Sequence, residues 1–272
     1  MLDQIYPLFP SINDGGGRII DLFGGSGEVG LNSDFKTIIY NEKSKPLVNI
    51  LNELDDNFVN DVKECIKEWN LSKLGKEEFL KLRNYYNKNL NTLSKRENAI
   101  ILYCLITHAF NYQLAFNSKG EYNMPSGYNR SWFSPQLEQK LTAYIERIKE
   151  KSIKFVSHDF NSLNLESLKP SDFVYCDPPY LITVGAYERD YFCKWSEEKE
   201  KELLNFLDIL NRKGIKFGLS NVLHHKGKTN ELLLHWSKKH NVHHLNKDYK
   251  NCNYQTNSRT IQTSDEVYIC NY

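Results

Sequence analysis

The chain of 272 residues has no long apolar run and no apolar stretch behind a basic N-terminus. That argues against a membrane span and a signal peptide, so the chain is expected in the cytoplasm with no membrane among its partners. It also has little net charge, since 35 Lys and Arg against 34 Asp and Glu leave +1. A globally basic protein is excluded, and any surface for a polyanion must come from local clustering. None of the six cysteines, Cys65, Cys104, Cys176, Cys193, Cys252 and Cys270, stands in a Cys-x-x-Cys pair, which speaks for buried thiols and against zinc or disulfides. His224-His225 and His243-His244 form pairs, but no acid pattern beside them makes a metal site, and no metal is expected. Internal repeats and low-complexity tracts are absent.

What is present is an alternation of short apolar runs with helical patterns, the signature of an α/β sheet covered on both faces. Strands are predicted at 18–21, 37–40, 155–158, 173–176, 216–220 and 267–271. Between about Asn52 and Tyr144 the strands stop, and a charged stretch reads as helical, including Glu97 to His108. The length suits one sizeable core with a smaller inserted domain. Residues 1–52 and 145–272 are expected to form the main domain and 53–144 the helical insertion.

The run Phe173-Val174-Tyr175-Cys176-Asp177-Pro178-Pro179-Tyr180 ends an apolar strand in a carboxylate, two prolines and an aromatic. Those groups suit the presentation of a planar amino group to an electrophile. The lone pair of an aromatic amine is delocalised into its ring, so the nitrogen attacks only when acceptors hold its two hydrogens out of plane. Asp177 supplies one acceptor and the carbonyl of Pro178 the other, its conformation restricted by its own ring and by Pro179. Tyr180 is placed to stack on the base. Asp-Pro-Pro also occurs in ordinary loops, so a second motif has to decide.

Arg18 to Asn32 reads as strand, glycine-rich turn and helix start, with Asp21-Leu22-Phe23-Gly24-Gly25-Ser26-Gly27 at its centre. Backbone approaches a ligand closely in such a turn. No Gly-Lys-Ser/Thr follows, which argues against a nucleoside-triphosphate loop, and the imperfect dinucleotide spacing argues against hydride transfer. The next strand ends in Asn41-Glu42, an acid placed to accept from ribose hydroxyls. A nucleoside therefore fits better than a phosphate.

Together these motifs resemble the deoxyadenosine N6-methyltransferase family that uses S-adenosylmethionine, and the resemblance covers most of the chain. It implies a doubly wound, Rossmann-like methyltransferase sheet carrying a mainly helical DNA-recognition insert. Asp177, Pro178, Pro179 and Tyr180 match the catalytic motif. Asp21, Phe23, Gly24, Gly25 and Gly27 match the cofactor loop, Glu42 belongs to the ribose-binding pair, and Asp177 borders the cofactor. Asp159 and Phe160 are placed by the resemblance beside the cofactor adenine; an Asp capping the next helix with Phe in the core reads almost as well. Ser220-Asn221 matches a position under the target-base pocket, where the structural reading is the stronger. Phe110 to Gly127 looks like the recognition segment. Asn111, Gln113, Asn117, Tyr122, Asn123 and Arg130 concentrate there the amide, aromatic and cationic groups that read base edges and contact phosphate.

The resemblance implies methyl transfer to adenine N6 in a short sequence of double-stranded DNA, with the base flipped out of the helix, in restriction-modification or a phage. The expected chain is a monomer, and a cognate restriction endonuclease would act separately. The loop Gly185 to Phe192 is a candidate lid, and the histidine pairs suit surface or DNA-backbone contact. Two features depart from the family. Relatives often begin with an aromatic-rich Gly-Lys segment, and Met1-Leu2-Asp3-Gln4-Ile5 starts just after it. Relatives that read GATC commonly carry arginine where this chain has Ala115, so the bidentate guanine contact is lost and GATC is not assigned. Two alternatives are an RNA or protein-glutamine amino-group methyltransferase, which usually has Asn before the double proline, and a DNA-binding relative without catalysis.

Overall fold

A computed structural model describes residues 2–11, 17–183, 194–246 and 264–272. Its strands are β1 (Ile19–Asp21), β2 (Thr37–Asn41), β3 (Ser152–Val156), β4 (Phe173–Cys176), β5 (Lys216–His225), β6 (Lys228–Thr229), β7 (Asn241–Leu245) and β8 (Asp265–Cys270). The helices are α1 (Leu2–Ile5), α2 (Glu28–Asn32), α3 (Lys45–Asn52), α4 (Phe58–Glu68), α5 (Lys76–Asn89), α6 (Lys95–His108), α7 (Pro135–Lys149), α8 (Glu197–Arg212) and α9 (Glu231–Ser237). The chain divides into two compact units. The first holds the described residues within 1–41, 158–186 and 195–272, and the second those within 42–157 and 187–194.

In the first unit the strand order is β2-β1-β4-β5-β8-β7, with β6 folded back on β5. β2, β1, β4 and β5 run parallel, and β8 lies antiparallel between β5 and β7. β1, β4 and most of β5 are buried, which explains their unbroken apolar runs: strands covered on both faces have no polar side to alternate with. One face packs Val174, Cys176 and Leu219 against Leu203 and Leu207 of α8. On the other, the Phe9 ring lies 4.8 Å from Phe173 and 5.4 Å from Tyr175. The chain passes from β1 to β2 on one side and later returns to β4 on the other. β1 and β4 therefore bound the point where the winding reverses, and the crevice beyond their carboxyl ends is where such sheets bind ligands.

The sheet differs from the sequence expectation at its antiparallel end. β5 runs on to His225, β8 spans 265–270, and β6 and β7 were not predicted. Asn241-Val242-His243-His244-Leu245 has no contiguous apolar run, and it becomes a strand because β8 offers it an edge, pairing His244 with Val267. β3 begins at Ser152 and ends at Val156, so Ser157, His158 and Asp159 lie beyond it, not at its end.

The second unit is mainly helical. Its central helix α6 starts at a capping box in which Ser94 and Glu97 satisfy each other's backbone N–H. α6 buries residues around most of its circumference, among them Ala99, Leu102, Cys104, Leu105 and His108, against Phe58, Phe79, Leu82 and Tyr86. Arg96 bonds Asp61 through Nε at 2.8 Å and Asp55 at 2.9 Å, with its guanidinium 5.1 Å over the Phe58 ring. Burial pushes the Cys104 thiol well up, so it stays protonated.

Cys65, Cys104, Cys176 and Cys270 are buried and free; Cys193 and Cys252 lie outside the described residues. Among the described residues no His, Cys, Asp and Glu cluster could hold a metal ion. His224, His225 and His244 engage Thr229, Ser264 and Asp265 respectively. No helix among the described residues is long and apolar enough to cross a membrane.

One side chain ties β2 to the chain on either side of it. Asn41, 5% exposed, donates to the carbonyls of Leu22 at 3.0 Å and His158 at 3.1 Å, and accepts from His158 N–H at 3.0 Å. Asn41→Ala leaves those backbone groups without their partner. It is expected to lose about 1–3 kcal/mol of stability in urea melts; an unchanged midpoint would show that water replaces the clamp.

Candidate active site

The turn after β1 is shaped by its glycines. Gly24 N–H donates to Asn41 O at 2.8 Å and Gly27 N–H to Gly24 O at 2.7 Å. A Cβ on Gly24 would lie 2.1 Å from the Tyr40 ring, so only glycine fits under that side chain. Tyr40 in turn donates its hydroxyl to Gly25 O. Gly25 and Gly27 have left-handed φ of +49° and +77°, and a Cβ on Gly25 would meet nothing within 4 Å among the described residues. The backbone is thus open to a ligand at Gly25 and closed against the protein at Gly24. Asp21, 1% exposed, accepts Gly30 N–H at 3.1 Å and so pins α2 to the end of β1.

Leu22 N–H donates to Tyr175 O at 2.9 Å, carrying the β1–β4 pairing one step past the strands. The glycine turn and the Asp177 segment therefore leave the same edge side by side. Asp177 is exposed, Pro178 buried, and Pro179 and Tyr180 half-buried. Tyr180 donates its hydroxyl to Asp177 Oδ1 at 2.8 Å, and Thr183 closes the turn onto Tyr180 O through its N–H at 3.0 Å and its hydroxyl at 3.1 Å. Below the motif the Tyr175 and Ser220 hydroxyls pair at 2.8 Å. Burial, with the Asp177 carboxylate nearby, pushes both the Tyr175 and Tyr180 phenols well above their ordinary values, so both remain protonated at neutral pH.

Beside the glycine turn three rings meet: Phe23 is 5.5 Å from Phe160 and 5.6 Å from Trp195, and Phe160 is 5.9 Å from Trp195. Phe160 is buried, whereas Phe23 and Trp195 are half-buried. Asp159 Oδ1 accepts Asn161 N–H at 3.3 Å and caps a short 3-10 turn, with Lys199 Nζ 3.8 Å from its carboxylate. Asn221 donates to Glu200 at 3.1 Å inside the core. The first unit thus brings together Asp21, Phe23, Gly24, Gly25, Gly27, Asp159, Phe160 and the Asp177–Tyr180 motif. Glu42 belongs to the second unit, where its Oε1 accepts Ser44 N–H at 3.0 Å. Sequence reading missed Trp195 and Glu200; the only signal was a lone tryptophan before a charged helix.

In the second unit the segment after α6 folds into a hairpin-like loop. Asn117 N–H donates to Glu121 O at 2.9 Å, Asn123 N–H to Ala115 O at 3.2 Å, and the buried Phe116 and Tyr122 rings pack edge-on at 5.9 Å. Asn117 is committed to the loop: it donates to Glu121 Oε2 at 2.8 Å and its Oδ1 accepts Lys119 and Glu121 N–H at 2.9 and 3.0 Å. Tyr122, 1% exposed, donates to Gln113 O at 2.9 Å. Asn111, Gln113, Asn123 and Arg130 are exposed. Asn111 and Tyr112 hold left-handed φ of +54° and +56°, an uncommon pair that turns this stretch outward. Four of the six large hydrophobics exposed among the described residues, Phe110, Tyr112, Tyr128 and Trp132, lie here, and the Arg130 guanidinium sits 5.6 Å over Phe110.

A family model for the D12 class of N6 adenine-specific DNA methyltransferases matches residues 1–252. The chain belongs to that family. It is 44% identical to the type II methyltransferase M.FokI of Planomicrobium okeanokoites and 38% identical to the modification methylase StsI of Streptococcus sanguinis. Both alignments take in all of this chain and 41% of the relative, so the chain spans about two fifths of the length of those two proteins. It is also 30% identical to a DNA adenine methylase of Serratia marcescens, over 76% of this chain and 77% of that one.

The collision at Gly24 has a direct test in this family member. Gly24→Ala is expected to cost about 1–3 kcal/mol as an overpacked site, and most of that loss should vanish in a Tyr40→Leu background, measured by urea melts of the four proteins. An unchanged penalty in that background would show that the ring is not what excludes a side chain at 24.

Proposed function

We propose that this chain transfers the methyl group of S-adenosylmethionine to N6 of an adenine within a short specific sequence of double-stranded DNA. In this reading it is the modification partner of a restriction endonuclease that acts separately, a role supported by the names of its relatives. The observation that carries the reading is Asp177, an exposed carboxylate at the end of a buried parallel strand, where the winding of the sheet reverses.

The residues present fit the cofactor. Gly25 leaves room for a ligand against the backbone, and the half-buried Phe23 and Trp195 rings beside it offer apolar surface to an adenine. S-adenosylmethionine supplies a methyl group already activated by its sulfonium. The chain then has to position a nucleophile in line behind it. With the cofactor bound, Asp177 and the Pro178 carbonyl would accept the two N6 hydrogens and draw the lone pair out of the ring, and the proton lost from N6 would pass to solvent. Tyr180 stacks on the flipped base, its ring orientation held by the hydroxyl bond to Asp177. Extruding the base costs about a few kcal/mol, offset by that stacking and hydrogen bonding.

Sequence reading by this chain is assigned to residues 53–144, with Asn111, Gln113 and Asn123 toward base edges and Arg130 toward phosphate. Asn117 and Tyr122 shape the loop that presents them. Ala115 has no guanidinium with which to read the guanine of GATC.

Tritiated methyl transfer to duplex DNA, with the modified positions mapped by sequencing, tests this reading. Asp177→Ala is expected to abolish transfer while duplex binding persists, because it removes an N6 acceptor and no phosphate contact; substantial residual turnover would remove Asp177 from its role. Arg130→Ala should weaken binding to all sequences and lower the slope of affinity against salt by about one. Asn111→Ala should instead relax the site preference by about 1–3 kcal/mol of discrimination. A preference that survives every exposed substitution in 111–130 would put the reader elsewhere, the segment Asn251 to Arg259, which lies outside the described residues, being the first place to look.

A further inference from the structure

Glu200, on α8, is fully buried, at 0% exposure. Burial raises its pKa, and the influences that oppose this are three neutral N–H donors and no cation. Trp195 Nε1 donates to Oε2 at 2.6 Å, and the amides of Asn221 and Asn230 donate to Oε1 at 3.1 and 3.0 Å. A buried carboxylate held only by neutral donors is a costly arrangement.

The polarity of the three donors cannot be reversed. An indole N–H only donates. Asn221 is oriented by its own Oδ1, which accepts Val222 N–H at 2.8 Å, and Asn230 by its Oδ1, which accepts Leu233 N–H at 3.1 Å as the cap of α9. Both oxygens of residue 200 must therefore accept, which a carboxylate does and an amide cannot.

Resting on the cofactor assignment above, we propose that Glu200 is a positioning residue that fixes the Trp195 ring against Phe23 and Phe160, making Trp195 part of the wall met by the adenine of S-adenosylmethionine. The network is rooted in the frame of the site: Asn221 follows Ser220, whose hydroxyl holds Tyr175 two residues before Asp177. Trp195 thus takes its orientation from β5, the strand paired with the one that leads into the catalytic motif. Its packing supplies the rest, with the indole edge-on to Phe23 at an interplanar angle of 80°.

Three proteins decide it: Glu200→Gln, Trp195→Phe and the double variant, each as the full chain. Glu200→Gln sets an N–H donor against at least one of the three fixed donors. The Trp195 indole resonance, identified in a 15N-labelled sample by its loss in Trp195→Phe, should move upfield in Glu200→Gln. Calorimetric titration with S-adenosylmethionine should weaken about tenfold, the change expected from losing one charge-assisted hydrogen bond. The melting temperature should fall by a few degrees from the unsatisfied N–H in the core, while affinity for duplex DNA should stay close to that of the unmodified chain. In the Trp195→Phe background the glutamine change should add no further loss of cofactor affinity, because the partner through which it acts is gone.

An indole resonance that does not move, or a cofactor affinity unchanged in Glu200→Gln, overturns the proposal while leaving the cofactor assignment intact. A parallel fall in cofactor affinity and DNA affinity overturns it in favour of a merely structural carboxylate. No heat from S-adenosylmethionine with the unmodified chain overturns the cofactor assignment and this inference with it.

Discussion

The parallel pairing of β1 with β4 is the constraint on which the candidate active site depends. Ile19, Ile20 and Asp21 stand in register with Phe173, Val174 and Tyr175, and the bond from Leu22 N–H to Tyr175 O continues that register past the strands. Two segments more than 150 residues apart in the chain are thereby released from one sheet edge at adjacent positions. A slip by one residue would turn Asp21 and Tyr175 to the opposite faces of the sheet. Burial of apolar side chains on both faces prevents such a slip, since Val174 and Cys176 belong to the core on one side and Phe173 and Tyr175 pack against Phe9 on the other.

Around that edge the polar side chains that are buried hold backbone or other side chains in place. Asn41 gathers Leu22 and His158, Asp21 holds α2 through Gly30, and the Tyr175 and Ser220 hydroxyls satisfy each other. Those groups set geometry within the core, whereas Asp177, which accepts the Tyr180 hydroxyl, and the half-buried rings of Phe23, Trp195 and Tyr180 also present surface. The loop after α6 in the second unit follows the same division. Phe116 and Tyr122 anchor the loop in the helical core and Asn117 closes its tip, while Asn111, Gln113, Asn123 and Arg130 stand outside. A composition of amides and aromatics did not by itself separate the residues that build this loop from those that face solvent.

Family membership and an activity are different conclusions here. The match over residues 1–252 establishes the D12 class, and the chemistry of Asp177, Pro178 and Tyr180 makes methyl transfer to an adenine amino group the reading that best uses what the edge displays. The chain spans about two fifths of M.FokI and StsI. What those longer proteins do as wholes is therefore carried to this chain as a proposal, to be decided by transfer to defined duplexes.

The sequence by itself determined the parallel half of the sheet, the glycine turn and the Asp177 motif. Each depends on local chemistry that a short stretch of residues contains: unbroken apolar runs for strands buried on both sides, glycine where a side chain would collide, prolines that restrict a carbonyl. Tertiary structure decided what depends on partners distant in the chain. Asn241 to Leu245 became a strand because β8 gave it an edge, and Tyr122 became an anchor because its ring found the helical core. Trp195 joined Phe23 and Phe160 because α8 carries Glu200 to Asn221 and Asn230, two residues that no spacing in the sequence connects with it. Hydrogen-bond polarity across three elements has no local signature, and so that network became visible only in the folded chain.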